Sequence, residues 1–311
     1  MKHIFIINQF SIGKKNYLEK KIINACEKLK LEYVIEKNDN KNSTEQIIEK
    51  YKKGKNIIIA IGGDGIINRV LNKIIGTNNI LGFIPLGTGN DFYRSALEQF
   101  DDGINDCDIT KINDKYFINV ACFGIDADIA NNKKIIKSKI IPKKLKYKLS
   151  LFNTFLNYEC RDFKVYIDNT EIEDSFFSIA VCNGTYYGGG YKIGPNSMLN
   201  DKYIDIFLAP KLGLFKSIKL IKVMKNGLHA YTKYVQKYHT KKIILESNDI
   251  VNANIDGETI TDKRFEIEVC PSPIKIYFNK ELINEIIKWG SSENNNLFNK
   301  TFRTNKRLYN I

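Results

Sequence analysis

Ile61-Gly62-Gly63-Asp64-Gly65-Ile66-Ile67-Asn68 follows the apolar run Asn56-Ile57-Ile58-Ile59-Ala60 and precedes the helical spacing Val70, Leu71, Ile74, Ile75. A strand, a glycine turn and a helix in this order read as a phosphate-binding turn. Glycines let the backbone take positive φ, and the first N–H groups of the helix then face an anion. Asp64 is the odd member, because a carboxylate beside phosphate repels it unless it binds a metal ion, holds a hydroxyl or takes a proton. A tight turn with a capping Asp would look the same at this length.

A second glycine loop follows about twenty residues on: Ile80-Leu81-Gly82-Phe83-Ile84 reads as a buried strand, and Pro85-Leu86-Gly87-Thr88-Gly89-Asn90-Asp91-Phe92 comes directly after it. In an open α/β sheet, ligands sit at the carboxyl ends of the strands, so the two loops would face one crevice. Outward from this pair, strands are expected at His3–Asn8, Leu31–Glu36, Asn56–Ile61 and Ile80–Ile84, with helices over about Lys14–Lys30 and Thr44–Lys53 and after Gly65. The alternation implies a doubly wound parallel sheet. After about Val120 the pattern shifts to short, alternating strands: Phe163–Ile167 and Phe176–Val181 about an Asp168-Asn169 turn, then Tyr203–Leu208, Lys241–Glu246, Phe265–Val269 and Ile274–Phe278, with one helix at Leu214–Leu228. With 311 residues, the chain is long enough for two domains.

Together the two loops resemble the diacylglycerol kinase catalytic family of lipid kinases, whose members carry Gly-Gly-Asp-Gly-Thr-x-Asn-Glu and then Pro-x-Gly-Thr-x-Asn-Asp-Phe; NAD kinases share only the first loop. Three more blocks fit in the family's order: Asn119 to Ala127, then Asn183-Gly184 with Gly188-Gly189-Gly190 and Pro195 to Asp205, then Asn254-Ile255-Asp256-Gly257-Glu258. Asn8 with Gly13 and Lys14 is a looser likeness to the nucleotide loop, since Gln9 stands where the family has Pro. The resemblance implies an NAD kinase-like α/β domain at 1–120, completed by about 280–311 through a returning helix at Glu281–Trp289. It also implies a β-sandwich lipid-substrate domain at 121–279.

The same resemblance implies an ATP- and Mg²⁺-dependent transfer of phosphate to the hydroxyl of a diacylglycerol-like lipid. Gly62, Gly63, Asp64, Gly65, Ile66, Ile67 and Asn68 would cradle the nucleotide phosphates with Gly87, Thr88, Asn90 and Asp91, and Asn8 would line the same crevice. Asp64 would hold the nucleotide's Mg²⁺ or orient the acceptor. Glu258 would be the general base with Asp256 assisting, their side chains on roughly one side of a turn. Asp201, with the main-chain oxygens of Met198 and Tyr203, would bind a structural Mg²⁺. The departures are Ile66 at a usual Thr, Arg69 at a usual Glu and Lys202 at a usual Gly. Ile66 removes a hydroxyl donor, Arg69 adds a cation, and Lys202 would strain a positive φ. Two other readings stand beside the lipid kinase: an NAD kinase-like enzyme, which has no use for Pro85–Phe92, and a non-catalytic nucleotide- or lipid-binding regulator, which has no use for intact Asp64, Asp256 and Glu258.

Composition narrows the setting. Six cysteines at 26, 107, 122, 160, 182 and 270 form no Cys-x-x-Cys pair and fit reduced core residues of an intracellular protein. His3, His229 and His239 lie outside every motif. No signal peptide and no run of about twenty apolar residues appears, so a cytoplasmic enzyme with peripheral membrane contact is expected. The net charge of +13 asks for an acidic partner, and Lys133 to Lys148 interleaves lysine with isoleucine in a way that suits anionic lipid. Nothing resembles a base-reading module, so no nucleic-acid partner is expected. A homodimer is compatible with all of this.

Overall fold

A computed structural model describes residues 1–8, 15–38, 43–125, 127 and 158–287. The first part is β1 (His3–Asn8), α1 (Lys15–Lys28), β2 (Tyr33–Asn38), α2 (Thr44–Tyr51), β3 (Ile57–Gly62), α3 (Asp64–Ile74), β4 (Ile80–Pro85), α4 (Asp91–Gln99) and β5 (Gly103–Cys107). The second part continues with β6 (Thr110–Ile112), β7 (Lys115–Phe117), β8 (Val120–Gly124), β9 (Arg161–Ile167), β10 (Thr170–Cys182), β11 (Tyr186–Tyr187), β12 (Tyr191–Lys192), β13 (Ile204–Pro210), α5 (Leu214–Met224), β14 (Gln236–Thr240), β15 (Lys242–Ile255) and β16 (Glu258–Val269). The described chain closes with β17 (Ile274–Phe278) and α6 (Lys280–Ile287).

The first sheet runs β2-β1-β3-β4-β17-β5, parallel except for the antiparallel edge strand β5. From Ile57 to Ile61 every residue of β3 is buried, as a parallel strand covered on both faces requires. The order reverses between β1 and β3, since β2 lies on one side of β1 while β3 and β4 lie on the other. Asn8 ends β1 and Gly62 ends β3, so the crevice of the doubly wound fold opens at these two residues. Leu282, Ile283 and Ile286 of α6 join the same core, and Lys28 of α1 pairs with Glu285. The chain therefore returns to the core of the first sheet.

The second sheet is antiparallel throughout, ordered β14-β13-β10-β8-β15-β16-β6-β7, with β9 also placed between β10 and β15. β8 pairs the inner half of β10 and β9 the outer half, so two short strands occupy one lane. Along β8, Ala121 and Phe123 enter one core, while Val120 and Cys122 enter another beneath α5. Residues from both ends of the strand order, Ile112 and Ile206, share the first of these cores, so the sheet folds over itself as a sandwich.

Two boundaries differ from expectation. β6 pairs with β16 and β7 with β6, so the antiparallel sheet begins before residue 121. β17 lies between β4 and β5, so the first sheet recovers the chain before residue 280. Ile274, Ile276 and Phe278 are buried, and they fill the lane beside β4 that an antiparallel reading gave to the second sheet. The helix expected over Leu214–Leu228 ends at Met224 and resumes as a 3-10 turn, Leu228–Tyr231, after Gly227 at φ 76°. Gly13, Lys14, Asp126, Lys133 to Lys148, Trp289 and the tail, to which the sequence reading gave roles, lie outside the described residues.

Candidate active site

Gly63 and Gly87 bring the two glycine loops into backbone contact: a Cβ at Gly87 would lie 2.7 Å from the Gly63 amide nitrogen. Only glycine permits that approach. Asn90, in the left-handed region at φ 53°, holds its own loop by accepting from the Gly87 amide at 2.9 Å and donating to the Gly87 carbonyl at 2.9 Å. It builds the cradle rather than facing it. Thr88 lies exposed at the loop's tip.

Asp64 joins the loops. Its Oδ1 accepts from the Phe92 amide at 2.9 Å and its Oδ2 from the Asp91 amide at 3.1 Å, so a residue of the first loop caps α4 of the second. Burial holds its carboxyl above the usual range against those amide bonds. Asp64 is half-buried in this capping position. Asp91 is 6% exposed, accepts from the Gly189 amide at 2.8 Å, and leaves Oδ1 buried with no partner among the described residues. Burial and then the neighbouring Asp64 push it up to about 6. A Cβ at Gly89 would lie 3.1 Å from Asp64 Oδ2 and 3.4 Å from Asp91 Oδ2, so the two carboxylates converge on one spot. Convergent carboxylates with a spare buried oxygen fit a divalent cation, and by this test the residues suit a nucleotide's Mg²⁺. Arg94, one turn after Asp91, donates to the Gly89 carbonyl at 3.2 Å and faces both carboxylates. Sequence reasoning missed it, although the i, i+3 spacing puts it on Asp91's side of α4.

In α3, Gly63 supplies no side-chain cap, so first-turn amides remain to receive phosphate. The cradle is narrower than Gly62–Asn68. The amides of Ile66 and Ile67 already bond the Gly63 carbonyl at 3.2 and 3.4 Å. The Ile66 side chain is 9% exposed and packs where a Cβ on Gly62 would sit, and Ile67 is core. Ile66 thus fills the space under the turn, and the hydroxyl a threonine would bring is replaced by packing. Asn68 turns away from the crevice and donates to the Tyr116 carbonyl at 2.9 Å and to Asp256 Oδ2 at 3.2 Å. Asn8 ends β1 at the crevice, with its main chain alone described.

The β15–β16 turn carries the other two acidic residues, and they part company. Asp256, 4% exposed and at φ 49°, accepts from the amides of Ile118 at 2.7 Å, Asn119 at 3.1 Å and Val120 at 3.0 Å as well as from Asn68. Burial nevertheless pushes it up to about 6. Glu258 lies at the rim, where its Oε1 would be 3.4 Å from a Cβ on Gly65 and pairs with Arg69 Nη2 at 3.3 Å. The expected common side for the two carboxylates is therefore wrong. Positive φ at Asp256 and Gly257 swings Asp256 inward, while Glu258 overhangs the first turn of α3. Arg69, expected to face the nucleotide, answers Glu258 instead.

The 183–190 loop closes the wall. Ser95 of α4 receives the Thr185 amide at 3.0 Å and donates to Asn119 Oδ1 at 3.0 Å, and Asn119 donates to the Tyr186 carbonyl at 2.7 Å. These polar links between the domains have no local sequence signal. The turn with Met198, Asp201 and Tyr203 stands apart. There Asp201 Oδ1 accepts from the Tyr203 amide at 3.0 Å, and Lys202, at φ 67°, donates its amide to Asp108. Among the described residues no group of three metal-capable His, Cys, Asp or Glu side chains occurs, so an ion at this turn would rely on one carboxylate and main-chain oxygens.

A switch-point crevice walled by two interlocked glycine loops, with convergent carboxylates and a rim glutamate, is arranged for phosphoryl transfer. The family model for the diacylglycerol kinase catalytic domain matches residues 2–116, and that for the YegS C-terminal NAD kinase beta sandwich-like domain matches residues 119–278. The chain belongs to the diacylglycerol kinase catalytic-domain family. It is 30% identical to a "Probable lipid kinase YegS-like" of Yersinia enterocolitica over 70% of this chain and 77% of that one. It is 28% identical to the diacylglycerol kinase of Bacillus subtilis over 65% of this chain and 71% of that one. A solved diacylglycerol kinase structure from Bacillus anthracis superposes with a TM-score of 0.66 at 18% identity, covering 90% of this chain and 98% of that one, a likeness of fold.

Proposed function

We propose that the chain is an ATP-dependent lipid kinase that phosphorylates the free hydroxyl of a diacylglycerol-like lipid to give a phosphatidic acid. The observation that carries this reading is the interlock of the two loops, with Asp64 and Asp91 converging at Gly89 below the Glu258 rim. An NAD kinase-like reading makes no use of the second loop. Mg²⁺ held by Asp64 and Asp91 would neutralise charge on the phosphate oxygens.

The first-turn amides of α3 and the Gly87–Gly89 backbone hold the phosphates, and Arg94 braces the second loop. Glu258 takes the proton as the acceptor oxygen forms its bond to phosphorus and ADP leaves with the electrons of the broken P–O bond. Asp256 acts on the fold of the site, not on the proton. Asp201 with the carbonyls of Met198 and Tyr203 would hold a second, structural Mg²⁺. The test is labelled ATP offered with diacylglycerol, phosphatidylglycerol, ceramide, sphingoid bases and NAD. Label in the diacylglycerol product is expected; label in NAD alone would overturn the reading.

A further inference from the structure

From Ile206 to Leu245 the chain carries nine lysines and neither a carboxylate nor an arginine. This stretch forms most of β13, α5, the 3-10 turn, β14 and the start of β15, and Leu220 and Met224 of α5, Ala230 of the 3-10 turn and Val235 before β14 share one core. α5 buries Ser217, Leu220 and Met224 and turns Phe215, Lys216, Lys219 and Lys222 outward. The 3-10 turn repeats the device. His229 is buried and meets the Ile193 carbonyl at 3.0 Å, which fixes Leu228 and Tyr231 in solvent.

Phe215 is 87% exposed, Tyr231 65% and Leu228 53%, a concentration of large apolar side chains that an ordinary solvated face does not carry. Among the described residues only Lys242 of the nine lysines has an ion pair. Several lie instead on aromatic rings, Lys237 at 4.9 Å from the Tyr231 ring centre and Lys216 at 5.7 Å from that of Tyr234.

We propose that this α5–β14 face docks the protein on an anionic lipid surface, Phe215, Leu228 and Tyr231 entering the headgroup layer and the lysines meeting lipid phosphates. Lysine without arginine suits a diffuse lipid charge, since long stems snorkel and no bidentate fork is required. The face also adjoins the crevice. The Lys192 amide bonds the Lys225 carbonyl at 3.4 Å, and Gly227 packs on Pro195, so the loop whose Gly189 amide holds Asp91 has its far end against α5. A bilayer against α5 would thus lie beside the wall of the site. The proposal rests on the lipid-kinase reading for its purpose and is tested separately from it.

Trp289 is the only tryptophan, so Trp289→Phe with Phe215→Trp gives a single reporter on the face. With vesicles of phosphatidylcholine and brominated phosphatidylglycerol, its emission should shift to the blue and be quenched, and with phosphatidylcholine alone it should do neither. Replacing Lys216, Lys219, Lys222 and Lys233 with Gln should lower partition onto the anionic vesicles by at least roughly tenfold and leave turnover of a short-chain diacylglycerol in detergent unchanged. A reporter that stays unquenched on vesicle-bound protein, equal partition of the Gln variant, or lysine-dependent binding to single-stranded DNA in preference to vesicles would overturn the proposal. Absence of any lipid phosphorylation in detergent would reject the kinase reading and leave the docking result standing.

Discussion

Asp64 serves two purposes at once. It accepts the first amides of α4, and it faces the same spot as Asp91. Asp64→Ala should therefore lower turnover by more than about a hundredfold, the scale of one positioned electrostatic group. It should also lower stability by about 1–2 kcal/mol through loss of the cap, which urea unfolding would show. A variant of unchanged stability would mean that α4 does not need this cap. Lys202 tests the second metal site. At φ 67° it keeps the left-handed turn that a glycine takes freely, so Lys202→Gly should raise the melting temperature by the equivalent of about 1 kcal/mol. If Asp201 binds Mg²⁺, the ion should raise the melting temperature of this variant and fail to raise that of Asp201→Asn.

At the scale of elements, the β15–β16 turn sets its two acids to different tasks. Glu258→Gln should slow single-turnover phosphorylation by roughly 10²–10⁴ with little change in the KM for ATP, the pattern of a lost general base. A loss below about tenfold would remove Glu258 from proton transfer. Asp256→Asn should act on folding. An amide offers one acceptor oxygen to donors that now share two, and turns its NH₂ toward backbone N–H groups. Stability should fall by roughly 2–4 kcal/mol. Arg69→Ala frees Glu258 from its one ion pair among the described residues; that pair is about half exposed, so any stability change should stay within about 1 kcal/mol.

For the whole molecule, Asp256 links the domains, tying α3 of one to the 118–120 crossing and the β15–β16 turn of the other. Its carboxyl sits at about 6 folded, against 3.8 for the ordinary group, so the folded protein holds the proton more tightly than the unfolded chain. The stabilisation this gives is complete below the ordinary value and is lost as pH rises through about 6. Thermal unfolding of the wild type between about pH 4 and 7 should therefore show a loss with rising pH that is smaller in Asp256→Asn, where Asp91, also pushed up to about 6, still titrates. Parallel curves for the two proteins would refute the linkage.

By itself the sequence determined the parallel sheet, the two glycine loops and the family, because unbroken apolar strands, helical spacing and glycine turns are local signals that short segments carry intact. It singled out Asp64, Asp91, Glu258 and Asp256 as candidate site residues. What only the tertiary structure decided is what each carboxylate touches. The chain position of Asp64 says nothing of the α4 amides 27 and 28 residues away, nor that of Asp256 of donors 136 to 138 residues upstream. β17 entered the wrong sheet in the sequence reading for the same reason: alternation in Ile274–Phe278 shows that a strand exists, and which lane it fills depends on which neighbours leave backbone groups unpaired. The lysine face shows the same division, for the absence of acids is plain in the sequence, but only the fold turns Phe215, Leu228 and Tyr231 outward together.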